Sequence, residues 1–295
     1  HLRLRQKNMS FALGFEALQR LRVSKLAPHV LHVELHRPDK LNALDLLFWE
    51  EIKVCFDIIR SDMDARAVLL SGAGRLFCAG LDLQAALTIF SDSAQDVARR
   101  ALKIRHFGKA WQDAFTSIEI CGKAVIACMH GAVLGAGLEL VSACDIRFCT
   151  EDAAFQLAEV NIGLASDVGG LQRLPKIIGN QSLIRELALS GRKMLAKEAF
   201  QHGLVSRSFD TKETMMAEAL SLAKAIASKS PIATLGIKEF LNYTRDHSVP
   251  ESLEYAITWN MSMLQGADLA TATASMVQKS VPEYENLPAT KQSKL

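Results

Sequence analysis

The stretch Met129–Leu174 reads MHGAVLGAGLELVSACDIRFCTEDAAFQLAEVNIGLASDVGGLQRL. Gly131, Gly135 and Gly137 make its first part a glycine-rich turn, and Glu139, Glu159 and Asp167 follow in otherwise apolar settings. Glycine has no Cβ, so the backbone there can turn tightly and approach a ligand closely. A turn of this kind that runs into a helix leaves N–H groups pointing outward at the helix N-terminus. Such donors suit a developing oxyanion. Carboxylates nearby can move protons, and apolar neighbours such as Leu138, Leu140, Val160 and Ile162 raise their pKa toward neutrality. The stretch points to proton transfer beside a stabilised acyl oxyanion.

Outward from it, the N-terminal side alternates strand and helix patterns. HVLHVELH, from His29 to His36, reads as a strand that Arg37-Pro38-Asp39 breaks. Asn42 or Asp45 then caps a helix in which Leu47, Phe48, Ile52, Cys55, Phe56 and Ile59 recur at helical spacing. A buried-type strand, Ala67–Leu70, leads into SGAGRLFCAGLDL. Gln84–Gln95 has no clear period and reads as a helix-loop near a pocket mouth, and Asp96–Ile118 returns to helix. A strand at Ala124–Met129 enters the glycine turn, and a short helix runs through Ala143. Strands follow at Asp145–Cys149 and Ala153–Leu157, and a helix starts after Gly169-Gly170. Beyond Asp210 only helices are read, at Thr211–Ser228, Ile232–Asp246 and Glu251–Leu264. The class is α/β with an all-helical C-terminal region.

Composition excludes more than it identifies. At 295 residues the chain can bury a large core, and its 49% apolar and 22% charged content suits a globular protein. The net charge of +2 gives no nucleic-acid footprint. No apolar run reaches the roughly 18 residues of a membrane span, so no membrane partner is expected. The six cysteines form no C-x-x-C pair and sit in apolar runs, and the eight histidines show no metal-ligand spacing. Structural thiols and no metal site are expected.

Two loops read as anion holders: Ser71–Leu83 and Gly131–Gly137. Neither fits G-x-G-x-x-G after a strand, nor the Walker pattern. Taken in order, Arg37-Pro38 with Asn42-Ala43-Leu44, then FCAGLDL, HGAVLGAGLEL, SACDIRF and FQLAEVNIGLASDVGGLQRLP resemble the crotonase superfamily of enoyl-CoA hydratases and isomerases. The resemblance runs over about residues 28 to 265. Within the superfamily, Glu159–Gln181 and RDHSVPESLEYAITWNMSMLQ resemble the Δ3,5-Δ2,4-dienoyl-CoA isomerases in particular.

The resemblance implies a crotonase-like spiral of ββα repeats followed by C-terminal helices that drive trimer formation, trimers pairing into hexamers. It implies an N-terminal extension at 1–24, a spiral core with the active site at 25–210, an oligomerisation region at 211–280 and a tail at 281–295. The oxyanion donors would be the backbone N–H groups of Leu81 and Ala136, the latter standing where glycine is common in the family. An alanine there is tolerated unless its φ is positive. Coenzyme A would lie near Lys40, Leu41, Asn42 and Ala43 and near Ala79, Gly80 and Leu83. No cofactor is implied, since the acyl-CoA substrate carries its own coenzyme A.

The three acids choose the reaction. Hydratases of the family use two glutamates, at the positions of Glu139 and Glu159, to activate and split one water. A dienoyl isomerase must move a proton from C2 to C6, and so needs two carboxylates spread along the pocket, at the positions of Glu159 and Asp167. Asp167 stands where hydratases usually have glycine; its competing role is to cap the helix that starts at Gly169. Glu139 stands where the isomerases usually have aspartate, so it is hydratase-like and is expected to orient the other two or tune their pKa. Glu159 is assigned to C2 because its hydratase counterpart protonates that carbon. Asp145 reads as a structural acid pinning the glycine loop, His130 as packed, and Asp82 as bonded to backbone within its own loop.

Two readings compete with the isomerase: a 2-enoyl-CoA hydratase using Glu139 and Glu159, and an RNA-binding crotonase homologue. The latter needs a dense basic helix face, and Lys103, Arg105 and Lys109 form only a modest cluster. Ser293-Lys294-Leu295 matches the signal that the peroxisomal import receptor reads, so a peroxisome or a related organelle such as a glycosome is expected. Arg3, Arg5 and Lys7 without acids suggest a mitochondrial presequence fragment, making the mitochondrion a second address. His1 in place of Met, with Met9 further in, suggests either an added residue or an upstream start.

Overall fold

The computed structural model describes residues 14–90 and 96–288. The basic N-terminal segment and the Ser293–Leu295 signal lie outside the described residues, as does part of the aperiodic Gln84–Gln95 stretch. In chain order the elements are β1 (Leu21–Ala27), β2 (Val30–Leu35), α1 (Leu46–Ser61), β3 (Ala67–Gly72), α2 (Leu83–Phe90) and α3 (Val97–Glu119). Then come β4 (Ala124–Met129), β5 (Ala132–Leu134), α4 (Ala136–Ser142), β6 (Ile146–Thr150), β7 (Ala154–Gln156), a 3₁₀ turn at Glu159–Ile162, α5 (Gly170–Ile178) and α6 (Gln181–Ser190). The chain continues through β8 (Met194–Leu195), α7 (Ala196–Gln201), β9 (Arg207–Phe209), α8 (Lys212–Ala227), α9 (Pro231–Thr244), α10 (Val249–Met263) and α11 (Ala267–Gln278).

Two sheets organise these elements. The larger has order β1-β2-β3-β4-β6-β9, antiparallel only between β1 and β2; the smaller has order β5-β7-β8. Single parallel bridges, Leu44 to Leu81 and Cys78 to Val133, extend the smaller layer toward the N-terminus. Each repeat therefore runs from a strand of the large sheet, through a short extended piece in the second layer, to a helix. β4, β5 and α4 make one such turn, and β6, β7 and α5 the next. This is the expected spiral.

The large sheet is covered on both faces, which is why its strands read as continuous apolar runs. Val68, Leu70, Val125 and Ala127 face Phe48, Ile52, Phe56 and Ile59 of α1 and Phe115 and Ile118 of α3. Ala67, Leu69, Ile126 and Cys128 face Met215, Ala219, Ala223 and Ala227 of α8. Small residues every fourth position let α8 lie close on the strands. By packing, α8 belongs to the core, so the expected boundary at residue 210 is moved beyond it. The expected boundary at residue 24 falls inside β1 and is likewise moved. The residue pattern does not announce β1, β5, α6, β8, α7, β9 or α11, because short or mixed-polarity segments carry little periodicity.

Asp45, rather than Asn42, caps α1, accepting from Phe48 N at 2.9 Å. Asp145 is structural as expected, but it pins the start of β4 rather than the glycine turn: its Oδ2 accepts from Val125 N at 2.7 Å and from Lys238 Nζ at 2.8 Å. Buried Lys238 also donates to the carbonyls of Ile118 and Lys123, tying α9 to the end of α3 and the start of β4. Beyond α9 the packing thins: α10 and α11 contain no buried residue. Met215 of α8 is core, whereas Met261 of α10 is exposed. Among the described residues no helix is long and apolar enough to cross a membrane.

Replacing Lys238 by Met leaves two carbonyls and a carboxylate without their shared cation. Urea unfolding of Lys238→Met should show a loss of about 3–5 kcal/mol; a loss below about 1 kcal/mol would remove Lys238 as the clasp between α9 and the core.

Candidate active site

The glycine turn and the Cys78–Leu81 segment meet where side chains are missing. A Cβ on Gly80, at φ +91°, would sit 2.8 Å from Leu134 O and 3.6 Å from Ala136 N. A Cβ on Gly135, at φ +49°, would sit 2.7 Å from Glu159 Oε1. Both positions therefore demand glycine twice over, by conformation and by space. The approach brings Ala136 N beside the residue that precedes Leu81. Ala136 opens α4, so its N–H has no intrahelical acceptor. Its φ is not positive, so alanine costs nothing where the family commonly has glycine.

Leu81 and Ala136 border a cavity of about 520 Å³. Ala79, Gly80, Leu83, Glu139, Glu159 and Asp167 also line it. Trp49 of α1 and Ile104, Phe107 and Trp111 of α3 supply apolar wall that the sequence reading did not assign to the site. Their helical spacing was visible, but periodicity cannot tell a cavity wall from core. Trp49 and Trp111 stack with ring centroids 5.1 Å apart.

Lys40, Leu41, Asn42 and Ala43 do not line this cavity. Lys40 is exposed and Asn42 is fully buried behind the Leu81 loop. Asn42 Nδ2 donates to the carbonyls of Ala73 at 2.8 Å and Phe77 at 3.0 Å, and its Oδ1 accepts from Arg37 N at 2.9 Å. Its side chain thus holds the loop instead of reaching a ligand. Leu41 O accepts from Ala79 N, and Gly80 O accepts from Leu44 N, which backs the loop further. Asp82 does bond backbone, but at the first turn of α2 rather than within its own loop: it accepts from Gln84 N and Ala85 N, and in addition from Arg37 Nη1 at 2.7 Å. That guanidinium holds the Asp82 carboxyl below its usual range. His130 is packed, its Nε2 2.9 Å from Gly74 O.

The three acids differ in what holds them. Glu139, on α4, is buried, and its Oε1 accepts from Ser166 Oγ at 2.5 Å and from Gly170 N at 2.9 Å. Glu139 thereby takes the helix-capping role at α5, where Asp167 makes no cap. Burial raises the pKa of Glu139 against those two hydrogen bonds. Glu159 opens the 3₁₀ turn, and its Oε2 is buried without a hydrogen-bond partner. Burial, then the charge of Glu139, pushes Glu159 up to about 7. Asp167 lies on the loop between that turn and α5 as an exposed residue, and partial burial of its carboxyl raises its pKa as well. Gln112 Nε2 of α3 donates to the Asp167 carbonyl at 2.8 Å and fixes the loop there. An apolar cavity bordered by backbone N–H groups and by the Glu159 and Asp167 carboxyl groups has what enolisation of an acyl thioester and relocation of its proton require.

Known proteins agree with this geometry. The enoyl-CoA hydratase/isomerase family matches residues 26–287. A Mus musculus protein named Delta(3,5)-Delta(2,4)-dienoyl-CoA isomerase, mitochondrial, is 52% identical over 267 residues, spanning 90% of this chain and 81% of that protein. An Arabidopsis thaliana protein of the same name but peroxisomal is 40% identical across 88% of this chain and 93% of its own length. A solved enoyl-CoA hydratase from Bacillus anthracis superposes with a TM-score of 0.81 at 29% identity, covering 90% of this chain and 99% of that one. The chain folds as a crotonase and belongs to the enoyl-CoA hydratase/isomerase family.

Proposed function

We propose that the cavity isomerises a 3,5-dienoyl-CoA to the 2,4-dienoyl-CoA, a step in the β-oxidation of unsaturated fatty acids. One observation carries the choice over hydration: Glu139 is tied to Ser166 and Gly170, while Glu159 and Asp167 remain for substrate at separate points of one apolar cavity. The names of the mouse and Arabidopsis relatives support the same reaction. The hydratase reading keeps one support, since Glu139 also borders the cavity.

In this mechanism the thioester oxygen sits between the N–H groups of Leu81 and Ala136, which acidifies the C2 hydrogen. Glu159, against the glycine turn that carries one of those donors, removes it. The electron pair shifts along the diene, and Asp167 delivers a proton at C6. Glu139 orients the Asp167 loop through Ser166 and Gly170 and raises Glu159 by its charge. Coenzyme A, the only non-protein group required, comes with the substrate.

The exposed apolar residues of α9, α10 and α11, such as Leu241, Leu253, Ile257 and Met276, support assembly into trimers or hexamers. Ser293-Lys294-Leu295 supports import into peroxisomes, in line with the peroxisomal Arabidopsis relative; the mouse relative is named mitochondrial.

Asp167→Asn should lower dienoyl isomerisation by about 10²–10⁴-fold, followed by the ultraviolet absorbance of the conjugated product, with the thermal melt unchanged. A near-wild-type rate would remove Asp167 from the mechanism. The pair must hold one proton. Above about 7, the value of Glu159, that proton is lost, so kcat/KM should fall as pH rises through this range. Glu139→Gln removes the like charge that raises Glu159 and should move this descending limb to lower pH. A limb that stays put or moves up would contradict the tuning role of Glu139.

A further inference from the structure

Asp167 lines two cavities, not one. Behind the apolar chamber lies a polar one of about 370 Å³, lined by Thr116, Glu119, Gln172, Arg173, Lys176 and Arg245 among others. Lys109, Gln112, Asp167 and Val168 border both chambers and form the partition between them. The bond from Gln112 Nε2 to Asp167 O holds that partition. The charges of the polar chamber are largely engaged with one another: Glu119 pairs with both Arg173 and Arg245, and Lys176 Nζ donates to Arg245 O. Asp167 is an exposed residue that lines this chamber too, whereas Glu159 keeps a buried Oε2 with no partner.

The reaction proposed above, on which this inference rests, has a bookkeeping consequence. In each cycle the C2–H bond breaks as an O–H bond forms on Glu159, and the Asp167 O–H bond breaks as C6–H forms. The enzyme ends with its proton on the wrong carboxyl group. To start again, Glu159 must lose a proton and Asp167 must gain one. An acyl chain in the apolar chamber removes water from that side, so the remaining wet approach to Asp167 is the polar chamber. We infer that the polar chamber is the proton-exchange port of Asp167: water there reprotonates the carboxylate, and the hydrogen delivered to C6 comes from solvent.

The test uses the full-length protein equilibrated in deuterium oxide, with a protiated 3,5-dienoyl-CoA, stopped at low conversion. Deuterium at C6 of the 2,4-dienoyl-CoA product, read by nuclear magnetic resonance, is the expected result. Protium at C6, carried over from C2, would overturn the port. Gln172→Phe fills the polar chamber without touching either acid. It should lower kcat about threefold or more with KM unchanged, and a folded variant with wild-type kcat and labelling would also overturn the port. Failure of the wild-type protein to convert the 3,5-diene at all would instead bring down the reaction itself, and is read separately from the label.

Discussion

The contact between Gly80 and the Leu134–Ala136 turn is the constraint on which the site depends. Two backbone segments from successive turns of the spiral come so close that a single methyl group at Gly80 would collide with Leu134 O. The two N–H donors flank this contact. Everything behind it serves to hold the approach: Asn42 bonds to the carbonyls of Ala73 and Phe77, and Arg37 reaches Ala43 O and Asp82. The polar atoms of Asn42 and Arg37 are used in positioning the loop, whose proposed chemistry is in its main chain. Because donors of that kind need no particular side chain, Leu81 and Ala136 can be apolar.

The second constraint is the division of labour among three carboxyl groups in one apolar region. Like charges so placed cannot all ionise cheaply. The structure relieves this by giving Glu139 two hydrogen bonds at the start of α5, leaving Glu159 half-buried against the glycine turn and setting Asp167 where it meets solvent. The resulting pair is asymmetric. One member is half-buried and raised toward neutrality, and the other is exposed.

Much of this was legible in the chain. The strands at Ala67–Gly72 and Ala124–Met129 and the long helix at Val97–Glu119 announced themselves because their apolar periods are sustained. The glycines and acids of Met129–Leu174 pointed to the cavity that Gly135, Glu139, Glu159 and Asp167 line. Asn42 was misleading in the opposite way. It lies in a motif shared with the family, and only its complete burial distinguishes a loop anchor from a ligand contact. The aromatic wall of Trp49 and Trp111 was hidden for a similar reason, since a side chain lining a cavity and one filling a core have the same period.

By itself the sequence determined the fold class, the glycine turn and the identity of the three acids, because backbone conformation and helical or strand period are local properties. Only the tertiary structure decided which acid is bound and which is available. That depends on Ser166 and Gly170 arriving at Glu139 from about thirty residues away, and on α3 placing Gln112 against the Asp167 loop. Hydrogen-bond partners and desolvation are set by what folds alongside a residue, and spacing along the chain does not encode them.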